Sequence, residues 1–302
     1  MDGLGVWHPM AKPQSDADIH RAVSDDGTEI AGRVHGQGPP LVLVHGRLED
    51  GELSWNALRP LLTDRFTCYA LSTRGRDLSA DHPDLSPGRL VEDVVAFVDS
   101  LGEPVGLVGH SSGAGLVLGA AAEATSVVGV AAYEPVVPAV IGEDDVARVQ
   151  AAMVRHADAA AEGRYADAAR ILFDESPMAT DDEVAAMTAL GHFDAMARYV
   201  PVSLRELEQA ATSETPDFSD PTVLGQISAP VLLLHGERTA PFATDSLRHL
   251  EPHLPDSRVR EVPGAAHFAP QLAPEAVAAE LTRFFTAVHA QPQAPQPTAT
   301  ES

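Results

Sequence analysis

Short apolar runs alternate with longer amphipathic stretches along the middle of the chain. Runs rich in Val and Leu, each bounded by Gly or Pro, stand at 41–44, 105–108, 127–132 and 231–234. Continuous runs of this kind are typical of strands buried on both faces of a parallel sheet. The segment 66–72 indicates a less regular strand, and 258–264 alternates as a strand nearer an edge does. Residues 20–36 predict a hairpin around Asp26-Gly27.

Helical patterns lie between these runs. In 86–101 the apolar residues share one helical face, with Ser86 as N-cap and Pro87 at the first helical position. Residues 273–288 repeat this pattern. A hairpin followed by alternating strands and helices predicts an α/β fold, with a mostly parallel sheet and helices on both of its faces.

Residues 138–220 interrupt the alternation, because they are helical and Ala-rich and contain no strand-like run. We interpret this segment as a helical cap inserted between two strands of a core formed by 21–137 and 221–290. The tail is rich in Pro, Gln and small polar residues. Flexible termini are therefore expected at 1–20 and 291–302.

The charge balance excludes some partners. The 302 residues contain 44 acidic and 20 basic side chains, for a formal charge of -24. This charge would repel nucleic acid and anionic membrane surfaces. A single cysteine, Cys68, rules out an internal disulfide and a thiolate metal cluster. No signal peptide or membrane span is evident, which predicts a cytoplasmic protein. The expected partner is a small-molecule substrate, and a homo-oligomer is possible.

The most specific chemical pattern is "GHSSG" at 109–113, a G-x-S-x-G sequence. It follows a predicted strand directly and precedes a predicted helix. A turn this sharp strains the central residue and presents the Ser111 hydroxyl at the carboxyl end of the sheet. The sequence therefore predicts Ser111 as a nucleophile.

A serine nucleophile needs a base, and position selects one among the 13 histidines. His267 lies in the loop after the last predicted strand, again at the carboxyl end of the sheet. His45 and His235 stand in His-Gly pairs and are expected to shape turns. His110 is expected to point away from the nucleophile. His192 could face the pocket, but an exposed helix surface is favoured for it.

At this point the chain resembles the α/β-hydrolase family over about residues 21–290. The motifs that carry the resemblance are "LVLVHG" (41–46), "GHSSG" (109–113), "PVLLLHGE" (230–237) and "PGAAHF" (263–268). The resemblance implies a helical cap and an oxyanion hole from two backbone N–H groups. These groups belong to Ser112, which follows the nucleophile, and to Arg47, which follows the first His-Gly pair. The Arg47 side chain could attract an acidic substrate or be a solvated loop residue.

The family's usual acid lies three residues after the glycine of the strand "PVLLLHG", where this chain has Thr239. Threonine carries no charge and does not stabilise an imidazolium as a carboxylate does. Three replacements remain open: Glu237, Asp245 and Glu134. Glu134 is favoured, because it ends the strand after the nucleophile helix and preserves the order Ser, acid, His.

These residues predict a serine hydrolase that cleaves a small or medium carboxylic ester, thioester or lactone through an acyl-enzyme. The alternatives are a lyase, cyclase or perhydrolase on the same fold, or a catalytically silent binding protein. No cofactor or metal is expected, since the sequence has no phosphate-binding loop or metal-ligand cluster. Six cap residues could line a pocket or simply pack: Met153, Phe173, Met187, Phe193, Met196 and Tyr199.

Overall fold

A single sheet organises the computed structural model, which describes residues 18–213 and 217–290. Its strands are β1 (Ile19–Val23), β2 (Glu29–Gly36), β3 (Pro40–Val44), β4 (Thr67–Ser72), β5 (Val105–His110), β6 (Val127–Tyr133), β7 (Val231–Gly236) and β8 (Ser257–Val262). Their spatial order is β1-β2-β4-β3-β5-β6-β7-β8. β1 and β2 form the predicted hairpin, β2 pairs antiparallel with β4, and the remaining pairs are parallel. The predicted mostly parallel sheet, with β8 at an edge, is confirmed.

The flexible start predicted over 1–20 is wrong for Ile19 and His20. Both residues belong to β1, because its backbone pairs along its whole length with β2. Residues 1–17 and 291–302 lie outside the described residues, so the rest of the prediction about the termini stays untested.

Helices fill the connections between the strands. They are α1 (Gly51–Trp55), α2 (Pro87–Ser100), α3 (Ser112–Glu123), α4 (Glu143–Ala161), α5 (Tyr165–Asp174), α6 (Asp181–Ala189), α7 (His192–Met196), α8 (Val200–Thr212), α9 (Pro221–Leu224), α10 (Pro241–Leu250), α11 (Ala269–Leu272) and α12 (Pro274–His289). Helices α4–α8 form a continuous helical segment between β6 and β7, which we call the cap. None of the described helices combines the length and apolar character that a membrane span requires.

Helix α2 begins at Pro87 with Ser86 as its N-cap residue, as predicted, but the Ser86 hydroxyl makes no hydrogen bond to the first turn of the helix. The Ser86 backbone N–H instead donates to Asp84 Oδ1 at 3.0 Å. The start of α2 is thus set by the proline ring and by a local turn in the preceding loop.

The buried strands divide their side chains between two apolar layers. Val42 and Val44 of β3 face the layer that includes α2 and α3, while Leu41 and Leu43 face the layer that includes α12. β6 and β7 divide in the same way. This two-sided burial explains why these strands read as continuous apolar runs. It also fixes their register, since a shift by one residue would exchange the faces.

The cap has an apolar core of its own that continues onto the sheet domain. Phe173, Met187, Phe193 and Met196 are buried together, and this cluster includes Phe268, the residue after His267. These four side chains therefore pack against one another. Tyr199 is different, because its hydroxyl bonds the carboxylate of Asp50.

A buried ion pair fixes the loop after β4. The Arg74 guanidinium donates to Asp93 of α2 through Nε (2.6 Å) and Nη2 (2.5 Å), and Nη1 donates to Asp26 in the hairpin (2.9 Å). The side chains of Arg74 and Asp93 are 0% and 1% exposed. One side chain thus connects the hairpin, β4 and α2.

Replacing Arg74 with methionine should destabilise the fold by about 3–5 kcal/mol, because Asp93 would be left buried without its partner. Urea denaturation followed by circular dichroism measures this loss. Arg283→Met is the matched control. The Arg283 side chain is 68% exposed and pairs with Glu280 on the surface, so its loss should cost less than about 1 kcal/mol. Equal stabilities of the two variants would contradict this role for Arg74.

Candidate active site

Ser111 lies at the sharp turn between β5 and α3. Its backbone has φ 56° and ψ −121°, a conformation that L-residues rarely adopt. The strain predicted at this position is therefore present. The Ser111 N–H donates to the carbonyl of Tyr133 at 2.9 Å, which holds the turn against the end of β6.

Two glycines make this turn possible. A Cβ atom on Gly109 would lie 2.4 Å from the Gly113 carbonyl oxygen, and one on Gly113 would lie 2.4 Å from the Val44 carbonyl oxygen. Real side chains do not tolerate such distances, so the pattern G-x-S-x-G is a steric requirement here. Close packing around these two glycines therefore keeps the Ser111 backbone in its strained conformation.

Glu134 and His267 form a hydrogen-bonded pair beside this turn. Glu134 Oε2 accepts a hydrogen bond from His267 Nδ1 at 2.8 Å, and the side chains are 1% and 2% exposed. Glu134 directly follows β6 and, like Ser111, has a positive φ, of 48°. The register pairs His110 of β5 with Tyr133 of β6, so the residues that follow, Ser111 and Glu134, emerge at one edge of the sheet.

The loop after β7 supports the Glu134 carboxylate. The Gly236 N–H donates to Glu134 Oε1 at 3.0 Å. The hydroxyl of Thr239, at the family's usual acid position, is buried beside the carboxylate and helps to lower its pKa, although it lacks good hydrogen-bond geometry. Glu134 therefore occupies the space between the two strand ends that an acid on the β7 loop would fill.

The two other candidate acids lie away from His267. Glu237 Oε2 accepts a hydrogen bond from the Gly264 N–H at 2.7 Å, in an exposed position. Asp245 is in α10 and pairs with Arg248 at 2.5 Å. Of the three carboxylates considered, Glu134 is the one that the structure joins to His267.

Glu134 and His267 shift each other's pKa in opposite directions. Burial alone would raise the pKa of Glu134, but the hydrogen bond and charge of His267, helped by Thr239 and the Gly236 N–H, hold it below the usual range. Burial alone would lower the pKa of His267, but Glu134 outweighs this effect and raises it, with smaller contributions from Glu183 and Glu49. The site thus favours an imidazolium at His267.

Two side chains at the ends of β5 and β6 hold the loop that carries His267. The Tyr133 hydroxyl donates to the Ala266 carbonyl at 2.7 Å, and His110 Nε2 donates to the His267 carbonyl at 2.9 Å. The His110 ring lies 4.9 Å from the His267 ring, centroid to centroid. Sequence reasoning missed both anchors, although each residue directly precedes a predicted catalytic residue.

His45 and His235 shape turns, as predicted. His45 Nδ1 donates to the Gly46 carbonyl at 2.7 Å, and His235 Nδ1 donates to the Gly236 carbonyl at 3.0 Å.

A third anchor comes from the cap. Glu183 closes a capping box with Thr180 at the start of α6. Its Oε1 atom also accepts the Phe268 N–H at 2.7 Å, next to His267. The T-x-x-E pattern at 180–183 is the signature of a capping box. Nothing in it indicates the second contact, which joins residues far apart in the sequence.

Replacing Glu183 with alanine should free the Phe268 amide and loosen the His267 loop. We expect hydrogen exchange at Phe268 to accelerate by roughly tenfold or more, with a stability loss of about 1–3 kcal/mol, because a buried N–H loses a charged acceptor. Amide exchange followed by NMR measures both. Asp182→Ala is the control, since the Asp182 side chain is 88% exposed. Unchanged protection of the Phe268 amide in Glu183→Ala would contradict the anchor.

The two predicted oxyanion donors flank the sharp turn at Ser111, which we call the elbow. Ser112 is the first residue of α3, so its N–H has no partner within the helix. Arg47 follows Gly46, and within the described residues no hydrogen bond uses the Arg47 N–H. The Arg47 carbonyl accepts from Arg76 Nη2 at 2.7 Å, and Arg76 also chelates Glu206 of α8. The loop that carries Arg47 is thereby tied to the cap.

A second buried carboxylate, Glu49, lies close to the elbow. It accepts hydrogen bonds from Ser54 Oγ (2.7 Å) and Gln271 Nε2 (2.8 Å), and His192 Nε2 lies 3.4 Å from Glu49 Oε1. The prediction that His192 is exposed is wrong, because the turn before α7 directs its ring onto this carboxylate. Burial would raise the pKa of Glu49, but His192 and its other polar neighbours lower it to about 2. Glu49 is therefore an anion.

Among residues 18–213 and 217–290, no three His, Cys, Asp or Glu side chains are arranged to hold a metal ion. The grouped polar side chains at the strand ends are suited to proton transfer and anion binding.

Known proteins share this architecture and parts of this sequence. Residues 41–280 match the model of the alpha/beta hydrolase family. The 2-(acetamidomethylene)succinate hydrolase of Mesorhizobium japonicum is 27% identical over 298 residues, covering 90% of this chain and 97% of that protein.

Solved structures are similar over comparable lengths. An alpha/beta hydrolase from Sphaerobacter thermophilus has a TM-score of 0.68 and 29% identity, over 88% of this chain and all of its own. A thermophilic esterase from Thermogutta terrifontis shares the fold, with a TM-score of 0.68 and 21% identity over 90% and 99% of the two chains. The sheet order, the strained elbow and the matched residues lead to one assignment: this chain is an enzyme of the alpha/beta hydrolase family.

Proposed function

We propose that this chain is a serine hydrolase that cleaves a small or medium carboxylic ester, thioester or lactone through an acyl-enzyme. One observation carries the proposal: the strained Ser111 stands at the same sheet edge as the buried Glu134–His267 pair. A hydroxyl becomes a nucleophile when a base takes its proton, and the base needs an orienting group. These three residues supply one group for each role.

The hydrogen bond to Glu134 fixes the histidine tautomer. Because Nδ1 carries the proton donated to Glu134, Nε2 is the nitrogen left to act as base. It would take the Ser111 proton as Oγ attacks the acyl carbon, and return it to the leaving alcohol, thiol or ring oxygen. Water then attacks the acyl-enzyme by the same route, releasing the acid and restoring Ser111.

The backbone amides of Arg47 and Ser112 would bind the oxyanion formed in each attack. Their value lies in being oriented before the reaction, and each donor contributes about 3–4 kcal/mol. The hydrogen bond from Arg76 to the Arg47 carbonyl supports this orientation, because it fixes the peptide chain next to the donor.

The energetic cost of the site supports a catalytic role. Ser111 and Glu134 both hold positive φ angles, each costing of order 1–3 kcal/mol. Glu134 and His267 are also buried as a polar pair, which rarely adds stability over apolar packing. A protein that used this scaffold only for binding would gain nothing from either feature.

The cap limits the size of the substrate. Ser111 is only 7% exposed, and the Phe173 ring of α5 lies 6.2 Å from the His267 ring. A closed apolar wall on one side suits a small or medium acyl compound better than a polymer. The wall also excludes water, which strengthens the polar interactions at the site.

A fluorophosphonate probe tests the proposal directly. The wild-type protein should be labelled at Ser111, identified by peptide mass spectrometry, and should hydrolyse members of a panel of esters, thioesters and lactones. Ser86→Ala is the matched control, because the Ser86 hydroxyl caps nothing and its loss should leave labelling unchanged. A protein that neither reacts with the probe nor turns over the panel would refute the proposal.

A further inference from the structure

The Arg47 guanidinium belongs to the residue that follows Gly46, next to the Ser111 turn. Two arginines that connect core and cap are paired: Arg76 with Glu206 and Arg198 with Asp50. Within residues 18–213 and 217–290, the Arg47 guanidinium has neither an ion pair nor a hydrogen bond. Arginine at such a boundary normally binds a carboxylate in a fork.

The carboxylates around Arg47 are already engaged. Glu206 approaches it from α8, but both Glu206 oxygens bind Arg76. Glu49, two residues further along, accepts hydrogen bonds from Ser54 and Gln271 and lies 3.4 Å from His192 Nε2. Arg76 itself adds a like charge, so the surroundings favour an additional anion.

Burial makes this arrangement expensive. Desolvation lowers the pKa of Arg47, as does the charge of Arg76, while Glu206 opposes them. His156 of α4 faces the same region, and the positive charge of Arg47 contributes to lowering its pKa. The His156 side chain is fully buried, its Nδ1 donates to the Ala168 carbonyl at 2.8 Å, and its Nε2 has no partner among the described residues. A partly buried cation without an ion pair and a buried nitrogen without a hydrogen bond both cost free energy that a bound polar group would recover.

The position relates this cation to the reaction. Arg47 follows Gly46, which packs so closely on the elbow that a Cβ there would lie 3.6 Å from Ser111 Cβ. The backbone N–H of Arg47 is the proposed donor to the oxyanion. A single residue thus offers an amide to the reacting carbonyl and a guanidinium to a group a short chain away.

We propose that the Arg47 guanidinium binds a carboxylate of the substrate, which makes the substrate class a half-ester, half-thioester or related monoacyl derivative of a short dicarboxylic acid. This inference rests on the proposed function for its reaction and on the unpaired Arg47 for its specificity. The Arg47 cation would also offset the repulsion of an anionic substrate, because a chain with a charge of -24 repels anions unless a local cation attracts them.

Calorimetric binding to the Ser111→Ala variant tests this specificity without turnover. The ligands are the monomethyl esters of malonic to adipic acid, each compared with the uncharged amide in which –CONH₂ replaces the carboxylate. We expect one acid to bind roughly 30- to 1,000-fold more tightly than its amide. Adding Arg47→Met should abolish this difference, Arg47→Lys should retain part of it, and the exposed control Arg248→Met should leave it unchanged.

The outcomes separate the two proposals. Acids that bind no more tightly than their amides, or a preference that persists in Arg47→Met, overturn the role of Arg47 even if the wild type hydrolyses the esters. A preference that depends on Arg47, in a wild type that hydrolyses none of them and is not labelled by the fluorophosphonate, leaves the carboxylate site in place and overturns the hydrolase mechanism. If Arg47→Met does not fold, equal binding of acid and amide to Ser111→Ala is sufficient to refute the site.

Discussion

Replacing Ser111 with alanine should reduce kcat for the proposed acyl transfer by about 10⁴- to 10⁶-fold, because the proposed acyl-enzyme forms on the Ser111 hydroxyl. Fluorophosphonate labelling should disappear in the same variant. Residual activity above the uncatalysed rate would come from the oxyanion donors alone, which do not depend on the Ser111 hydroxyl. Steady-state hydrolysis of the best ester in the panel, with active-site titration, measures this effect.

The fold should survive this change. Alanine retains Cβ and the strained backbone, and the Ser111 N–H still donates to the Tyr133 carbonyl. The thermal midpoint should therefore stay within a few degrees of the wild-type value or rise slightly. A variant that folds and retains more than about one per cent of wild-type kcat would contradict a nucleophilic role for Ser111.

Replacing Glu134 with glutamine should lower kcat by about 10²- to 10⁴-fold with little change in the overall fold. Glutamine keeps the shape of the side chain but loses the charge that stabilises the His267 imidazolium. It can also present an N–H to Nδ1 and so select the unproductive tautomer. Asp245→Asn is the matched control, since Asp245 pairs with Arg248 on the surface. Near-wild-type kcat in Glu134→Gln would refute the assignment of the acid.

The pH profile gives Glu134 a second readout. The proposed mechanism requires a neutral His267, whose pKa is raised by Glu134 above the ordinary imidazole value. Wild-type kcat/KM should therefore rise with pH through a midpoint above that ordinary value. In Glu134→Gln the charge is gone while burial remains, so the midpoint should move to lower pH. A midpoint that does not move would show that this carboxylate does not act on the base.

Much of the fold could be predicted because local patterns report burial. Continuous Val and Leu runs identified β3, β5, β6 and β7, since both of their faces are covered. The Ser111 turn was readable because steric requirements force glycine at defined spacings, as at Gly109 and Gly113. The start of β1 was less predictable, since Ile19 and His20 are partly exposed and their order comes from pairing with β2.

Contacts between distant segments left weaker traces in the sequence. The pairing of Glu134 with His267 was predicted from the position of Glu134 at the end of the strand after the nucleophile helix, but the anchor from Glu183 to Phe268 crosses from the cap to the core. His192 was misplaced for the same reason, because the buried carboxylate that it approaches, Glu49, lies in a distant segment of the chain. Sequence patterns indicate which face of an element is covered, and only the folded chain shows what covers it.

The cap helices differ in how they are held to the core. Polar contacts bind α6 and α8 to the core through Glu183 and Glu206. In the described chain, the side-chain hydrogen bonds and ion pairs of α4 and α5 stay within the cap, as from His156 to Ala168 and from Arg155 to Glu175. These two helices meet the His267 loop through apolar contacts such as that of Phe173 with Phe268. Substrate range can therefore evolve, or be engineered, on α4 and α5 while the proposed catalytic residues keep their geometry.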